Sequence, residues 1–198
     1  MKRPVLLGAL AMCAAWAMLA TAAPHAARAQ ATTTPPPAAA TMVPAPRPAD
    51  VATIDAVIAA LYDVISGPAG QKRDWDRMRS LFYPGAKLVP TGKRPTGEVA
   101  ARLLTLEEYI TRSGPQLENG GFFEKEVSRE LVQYGNIAHA FSTYESRGKA
   151  DDAKPFARGI NSIQLVNDGT RWWVLNVFWQ AETPGTPLPG KYLPGKKG

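Results

Sequence analysis

The chain holds two histidines, His25 and His139, and one cysteine, Cys13. His25 and Cys13 fall in or just after a segment that reads as a cleavable export signal. In the mature chain, His139 is then the one side chain whose ordinary pKa lies near neutrality. It alternates with Ile137, Phe141 and Thr143 along a strand, so it could point inward and act as a general base for proton abstraction or water addition. The alternative is a structural His bonded to a backbone carbonyl or a tyrosine. One His without Cys does not make a zinc-type centre, which needs three or four N or S ligands, so no metal is expected; an all-carboxylate site stays open. No cofactor is expected either. Gly85 and Gly92-Lys93 are too far apart for a phosphate loop, and neither a Gly-x-Ser-x-Gly elbow nor a dinucleotide fingerprint occurs.

Asp63 falls about 160° from the centre of its helix's apolar stripe and should face water. Asp55 lies at the edge of that stripe beside Tyr62 and is the better candidate acid, against the alternative of a solvated boundary carboxylate. Asn161, Gln164 and Asn176 lie on C-terminal strands, where they either orient a ligand or bond across an outer interface. Arg158 could hold a ligand carboxylate, or simply be solvated beside the charged loop from Lys149 to Lys154.

The elements that must position these groups are legible from periodicity. Val51, Ile54, Ile58, Leu61, Tyr62 and Ile65 fall on one stripe of an amphipathic helix capped by Asp50 and ended by Gly67-Pro68. A second, shorter helix starts at Asp74, with Trp75, Met78, Leu81 and Phe82 inward, and stops at Pro84-Gly85. Ala86 to Val89 reads as a short strand. Thr105-Leu106-Glu107-Glu108 has capping-box spacing and opens a third helix, which Gly114-Pro115 should end. From Phe122 the period becomes that of strands. Phe122 to Val132 pairs with Ile137 to Ser146, and Arg158 to Val166 with Arg171 to Ala181 across the turn signal Asp168-Gly169. In the last strand Trp173, Leu175, Val177 and Trp179 should face the helices. The other face, with Trp172, Val174 and Phe178, is too apolar for water, which implies cover by a second copy of the chain.

Composition bounds the rest. Hydrophobic residues make up 45% of the 198 and charged residues 20%, enough for one globular domain. The formal charge of +6 is a matter of the ends: seven of the 23 Lys and Arg lie outside residues 50–183, leaving 16 against all 17 carboxylates. A domain so nearly neutral does not favour nucleic acid. Residues 1–29 carry Lys2 and Arg3, an apolar run and small residues before Gln30, which predicts a signal peptide cleaved after Ala29 and no stable membrane insertion afterwards. Residues 30–49, rich in Pro, Ala and Thr, read as a disordered linker, residues 50–183 as the domain, and 184–198 as an extended Pro/Gly/Lys tail that Tyr192 could lay against it.

Ile58-Ala59-Ala60-Leu61-Tyr62-Asp63, the stretch from Trp75 to Ala86, and Asn167-Asp168-Gly169-Thr170-Arg171-Trp172-Trp173 together resemble the nuclear transport factor 2-like superfamily, in particular its SnoaL-like bacterial branch. The resemblance implies an α+β fold of cystatin-like topology: a cone-shaped roll of strongly bent antiparallel sheet around three N-terminal helices, with a pocket at the open end. It implies a bacterial periplasmic or secreted protein, and it implies pairing of a pocket His or Asp with a tyrosine, here Tyr62, Tyr109 or Tyr144. Members include enzymes and noncatalytic modules, so fold does not select activity. Three readings follow. The first is a binding domain for a small hydrophobic ligand, without recognisable catalytic machinery. The second is an isomerase or dehydratase using His139. The third is a homodimerisation module joined through the outer sheet face.

Overall fold

The computed structural model describes residues 43–94 and 96–195. The expected signal peptide, residues 1–29, and most of the expected linker, residues 30–49, lie outside them. The elements are α1 (Pro48–Val51), α2 (Ile54–Ile65), α3 (Trp75–Leu81), β1 (Phe82–Lys93), β2 (Val99–Ala101), β3 (Leu104–Thr105), α4 (Leu106–Gly120), β4 (Phe123–Tyr134), β5 (Ile137–Arg147), β6 (Ala157–Asn167) and β7 (Trp172–Ala181). A single 3-10 turn, Gly190–Tyr192, follows.

The first helix divides in two. Thr53 has extended backbone and its hydroxyl accepts from Ala56 N at 3.0 Å, so it, and not Asp50, caps α2. Asp50 instead accepts two bonds from the Arg77 guanidinium at 2.7 and 3.0 Å, tying α1 to α3. Asp74 caps α3 by accepting from Arg77 N. The Thr105 and Glu108 capping box forms as expected, with bonds of 2.8 and 3.2 Å. The third predicted helix does not stop at Pro115. It runs on to Gly120 because its last turn is anchored from outside: Glu118 accepts from Lys72 Nζ, Trp75 Nε1 and Arg73 N, and Gly114 leaves room for the Trp75 ring. Nearby, the buried Arg73 guanidinium donates to the carbonyls of Ile65, Gly67, Gln71 and Leu117. It thereby binds the end of α2 to the end of α4.

The strands form one bent sheet in the order β2-β1-β7-β6-β5-β4, with β3 pairing β1 off that path. The two long hairpins fall where the sequence placed them, with Tyr134 opposite Ile137 and Asn167 opposite Trp172. The sheet is mixed, since β1 runs parallel to β7 from Phe82 opposite Val174 to Thr91 opposite Gln180. The helices pack on the inner face, where Ile58, Met78, Leu81, Ile163, Leu165 and Val174 are fully enclosed. Burying each such side chain contributes about 1.5–3 kcal/mol.

One register shift changes which residues face inward. Leu165 pairs with Val174 and Gln164 with Asn176, so Leu175 is an extra residue on β7. Trp172 and Val174 therefore point inward on one side of the bulge, and Val177 and Trp179 on the other. The expected single inward row of Trp173, Leu175, Val177 and Trp179 is corrected in its first half. Trp173 lies outside, with the Arg171 guanidinium 3.4 Å above its ring.

Candidate functional site

Between the helices and the inner face lies a cavity of about 120 Å³. Its polar wall is built from Tyr62 on α2, Tyr109 on α4, Glu124 on β4, Tyr144 on β5 and Asn161 on β6. Leu61, Leu88, Val177 and Trp179 supply apolar cover. Local pattern explains each placement. On β5 the inward row reads Ala138, Ala140, Ser142, Tyr144 and Ser146, all buried; its small members give α2 room to approach. Glu124 pairs across from Ser146 and so shares that face. Gly159 on β6 lies beneath the Tyr144 hydroxyl, which a Cβ at that position would meet at 2.5 Å.

The hydrogen bonds converge on two groups. Asn161 Nδ2 donates to Tyr62 Oη at 3.0 Å and to Glu124 Oε1 at 3.4 Å, and Ser146 Oγ donates to Glu124 Oε2 at 2.8 Å. Having accepted from Asn161, Tyr62 turns its own proton toward Ser142 Oγ at 2.7 Å. Ser142 in turn donates to Glu126, which pairs with Arg129 at 2.7 Å. Tyr62 is thus committed to the scaffold. Tyr109 and Tyr144 have no hydroxyl partner among the described residues. Tyr109 sits edge-on to Trp179, ring centroids 6.3 Å apart and planes at 86°.

Glu124 as a residue is half-buried, because it also borders a second hollow of about 490 Å³ under the edge strand, shared with Tyr62, Asp63, Arg129 and Arg147. Its carboxyl, however, is desolvated, and burial pushes its pKa above the ordinary carboxylate range, opposed by the donated bonds of Ser146 and Asn161. Burial likewise raises the phenols of Tyr62, Tyr109 and Tyr144, and the neighbouring Glu124 charge raises all three further. The arrangement can hold a polar group, and it can give or take a proton at Glu124.

Of the residues singled out from sequence, Tyr62, Tyr109, Tyr144 and Asn161 are brought together here. His139 is not. It occupies the opposite row of β5 with Phe141 and Thr143, on the outer face, where its Nε2 lies 2.8 Å from Ser162 Oγ and its ring meets Phe141. The strand's inward phase belongs to the even-numbered residues, so a general base at position 139 would be on the wrong side of the sheet. Asp55 is also misplaced: α2 restarts at Thr53, turning Asp55 outward into an exposed pair with Arg129 at 2.5 Å. Asn176 points outward opposite Gln164, one residue before the inward Val177. Arg158 pairs with Glu182 at 2.8 Å. Glu124 is the residue that sequence reasoning missed. Its signal was the row of small residues facing it across the β4–β5 ladder, the mark of a face pressed by a helix.

Among the described residues, no three His, Cys, Asp or Glu side chains gather closely enough to hold a metal ion, and no helix is long and apolar enough to cross a membrane. What decides the architecture is topology: a bent sheet closed by a parallel β1–β7 pair, helices on its inner face, and a hollow between them. The fold is α+β, of the kind that a resemblance to the nuclear transport factor 2-like superfamily implies. No protein-family model and no curated protein matches the sequence. Solved structures similar to this chain include a protein with a cystatin-like fold from Nostoc punctiforme, at 13% identity and TM-score 0.47, covering 69% of this chain and 92% of that one. Another is an NTF-2 like protein from Silicibacter pomeroyi, at 14% and 0.44, covering 66% and 94%. A third, from Parabacteroides distasonis and provisionally named a ketosteroid isomerase, is 13% identical at TM-score 0.45, covering 67% and 90%.

Proposed function

We propose that the cone binds a small, largely apolar molecule by its polar end, with Glu124, Tyr109 and Tyr144 as the contacting groups. One observation carries this reading: a desolvated carboxyl stands beside two unpartnered phenols in an otherwise apolar hollow. Enclosed polar groups without partners oppose folding, and here a guest would supply the partners. The size fits a small molecule, since a hollow of about 150 Å³ in another protein takes benzene. Thermal-shift screening with small organic molecules tests it. Binders should raise the melting temperature of the native chain, and Glu124→Leu should abolish the rise. If no compound shifts the transition, or if the shift survives in Glu124→Leu, the reading falls.

A second reading, acid–base catalysis of isomerase or dehydratase type, is favoured by the same carboxyl, which burial makes a stronger base once ionised. Its base would be Glu124 rather than His139. On a substrate found by screening, Glu124→Gln should remove turnover while His139→Ala preserves it.

We also propose export, with cleavage after Ala29, and homodimerisation through the outer sheet face. That face exposes Val132, Ile137, Leu175 and Phe178. Mass spectrometry of the mature chain should find Gln30 at its start, and light scattering should find twice the monomer mass. Membership of the SnoaL-like branch is part of the same proposal.

A further inference from the structure

Resting on the cone as a binding site, we infer that its guest is a small alkylammonium ion, held by the Glu124 carboxylate within a box of aromatic rings and carrying a hydroxyl or N–H for Tyr109 and Tyr144. Five rings surround the one carboxyl: Tyr62 from α2, Tyr109 from α4, Phe122 just before β4, Tyr144 from β5 and Trp179 from β7. The perpendicular Tyr109–Trp179 pair makes a corner of this box. Aromatic faces are negative and attract alkylated cations, most strongly where water is excluded.

The bonds around Glu124 are built for its charged form. Both oxygens accept, one from Asn161 and one from Ser146. Burial nevertheless opposes ionisation. A cation in the hollow reconciles the two, and nothing else there does: among the described residues, the cavity lining contains no Lys, Arg or His. The basic groups bordering the second hollow are paired or exposed, with Arg147 keeping one buried nitrogen, Nη1, without a partner. Arg129 pairs with Glu126 and Asp55, Arg147 with Glu145 and the Asp152 carbonyl, and Lys125 is exposed. The other titratable groups around Glu124 are Tyr62, Tyr109 and Tyr144 from three packed elements, with Glu126 further along its own strand. The three phenols are held neutral by burial and the Glu126 charge is offset by Arg129, which leaves Glu124 as the group in the cavity lining able to carry a charge.

Calorimetric titration of the purified chain with choline and with its uncharged carbon isostere, 3,3-dimethylbutan-1-ol, in two buffers of different ionisation heat tests the inference. Choline should bind roughly tenfold or more tightly than the isostere. Because burial raises the Glu124 pKa in the empty cone and a bound cation would lower it, choline should also release protons as the pH approaches that raised value, and the isostere none. Glu124→Gln should erase both differences. Equal binding of the two probes overturns the ammonium inference and leaves the cone a site for apolar molecules, whereas binding of neither overturns both. Should Glu124→Gln fail to fold, Tyr109→Phe and Tyr109→Leu take its place. The first, keeping the ring, should retain the choline preference and the second should weaken it; equal preference in both counts against the box.

Discussion

The two faces of β5 hold their polar groups in opposite ways. On the inner face Ser142, Tyr144 and Ser146 point toward Glu124, Glu126 and Tyr62 of α2, so nearly every hydroxyl and carboxyl is either locked in a chain of bonds or left waiting in a hollow. On the outer face His139 and Phe141 are half-buried beside Ser162 and Tyr192, and Thr143 is covered by the Tyr192 carbonyl. A titratable group costs little to keep where water can reach it, and much where it cannot. It is therefore the enclosed carboxyl, more than the histidine at the surface, whose presence calls for a functional explanation.

Substitutions along this divide should separate in size. Ile163→Ala, at a fully enclosed inner position, should destabilise the fold by about 2–5 kcal/mol in urea unfolding. Gly159→Ala comes next, at about 1–3 kcal/mol, because the new methyl group would press on the Tyr144 hydroxyl and the Gln180 carbonyl. The Tyr144 displacement should also weaken guest binding in the cone. Glu124→Gln distinguishes the faces by pH. Below the ordinary Glu value near 4.5 folded and unfolded chains both hold the proton. As pH rises toward the raised value of the folded state, the unfolded chain gives it up first, so stability falls through that window. Glu124→Gln should flatten this fall in pH-dependent melting, and an unchanged slope would show the carboxyl to be solvated. Asp50, held low by Arg77, acts oppositely, its contribution fading as acid protonates it.

On the outer face the effects should be small. His139→Ala should cost no more than about 1 kcal/mol, the worth of its bond to Ser162, and leave binding in the cone untouched. Ile137→Lys should change monomer stability by less than about 0.5 kcal/mol while shifting the particle mass in light scattering from dimer to monomer.

Much of this fold was readable in the chain because its local signals agree. The Thr105 and Glu108 box, the Asp74 cap and the Asp168-Gly169 turn each form from residues within a few positions of one another. The departures came from partners distant in sequence. Pro115 reads as a stop, yet Lys72, Arg73 and Trp75 hold the turn beyond it. Four of the pocket residues were recognisable as polar groups on suitable elements, but alternation alone does not say which row of β5 faces inward, and the row that holds His139 faces out. A bulge such as that at Leu175 arises from strand pairing, so no pattern within β7 announces it, and with it went the placement of Trp172 and Val174.

The parallel ladder between β1 and β7 has a bearing on synthesis. β1 is made early and its central partner last but for the tail, so a nascent chain carries α2 and β1 through most of translation with their sheet incomplete. Contacts so far apart along the chain close slowly. Under the export proposed above, such wiring would leave the architecture unsecured until β7 has followed β1 out of the ribosome.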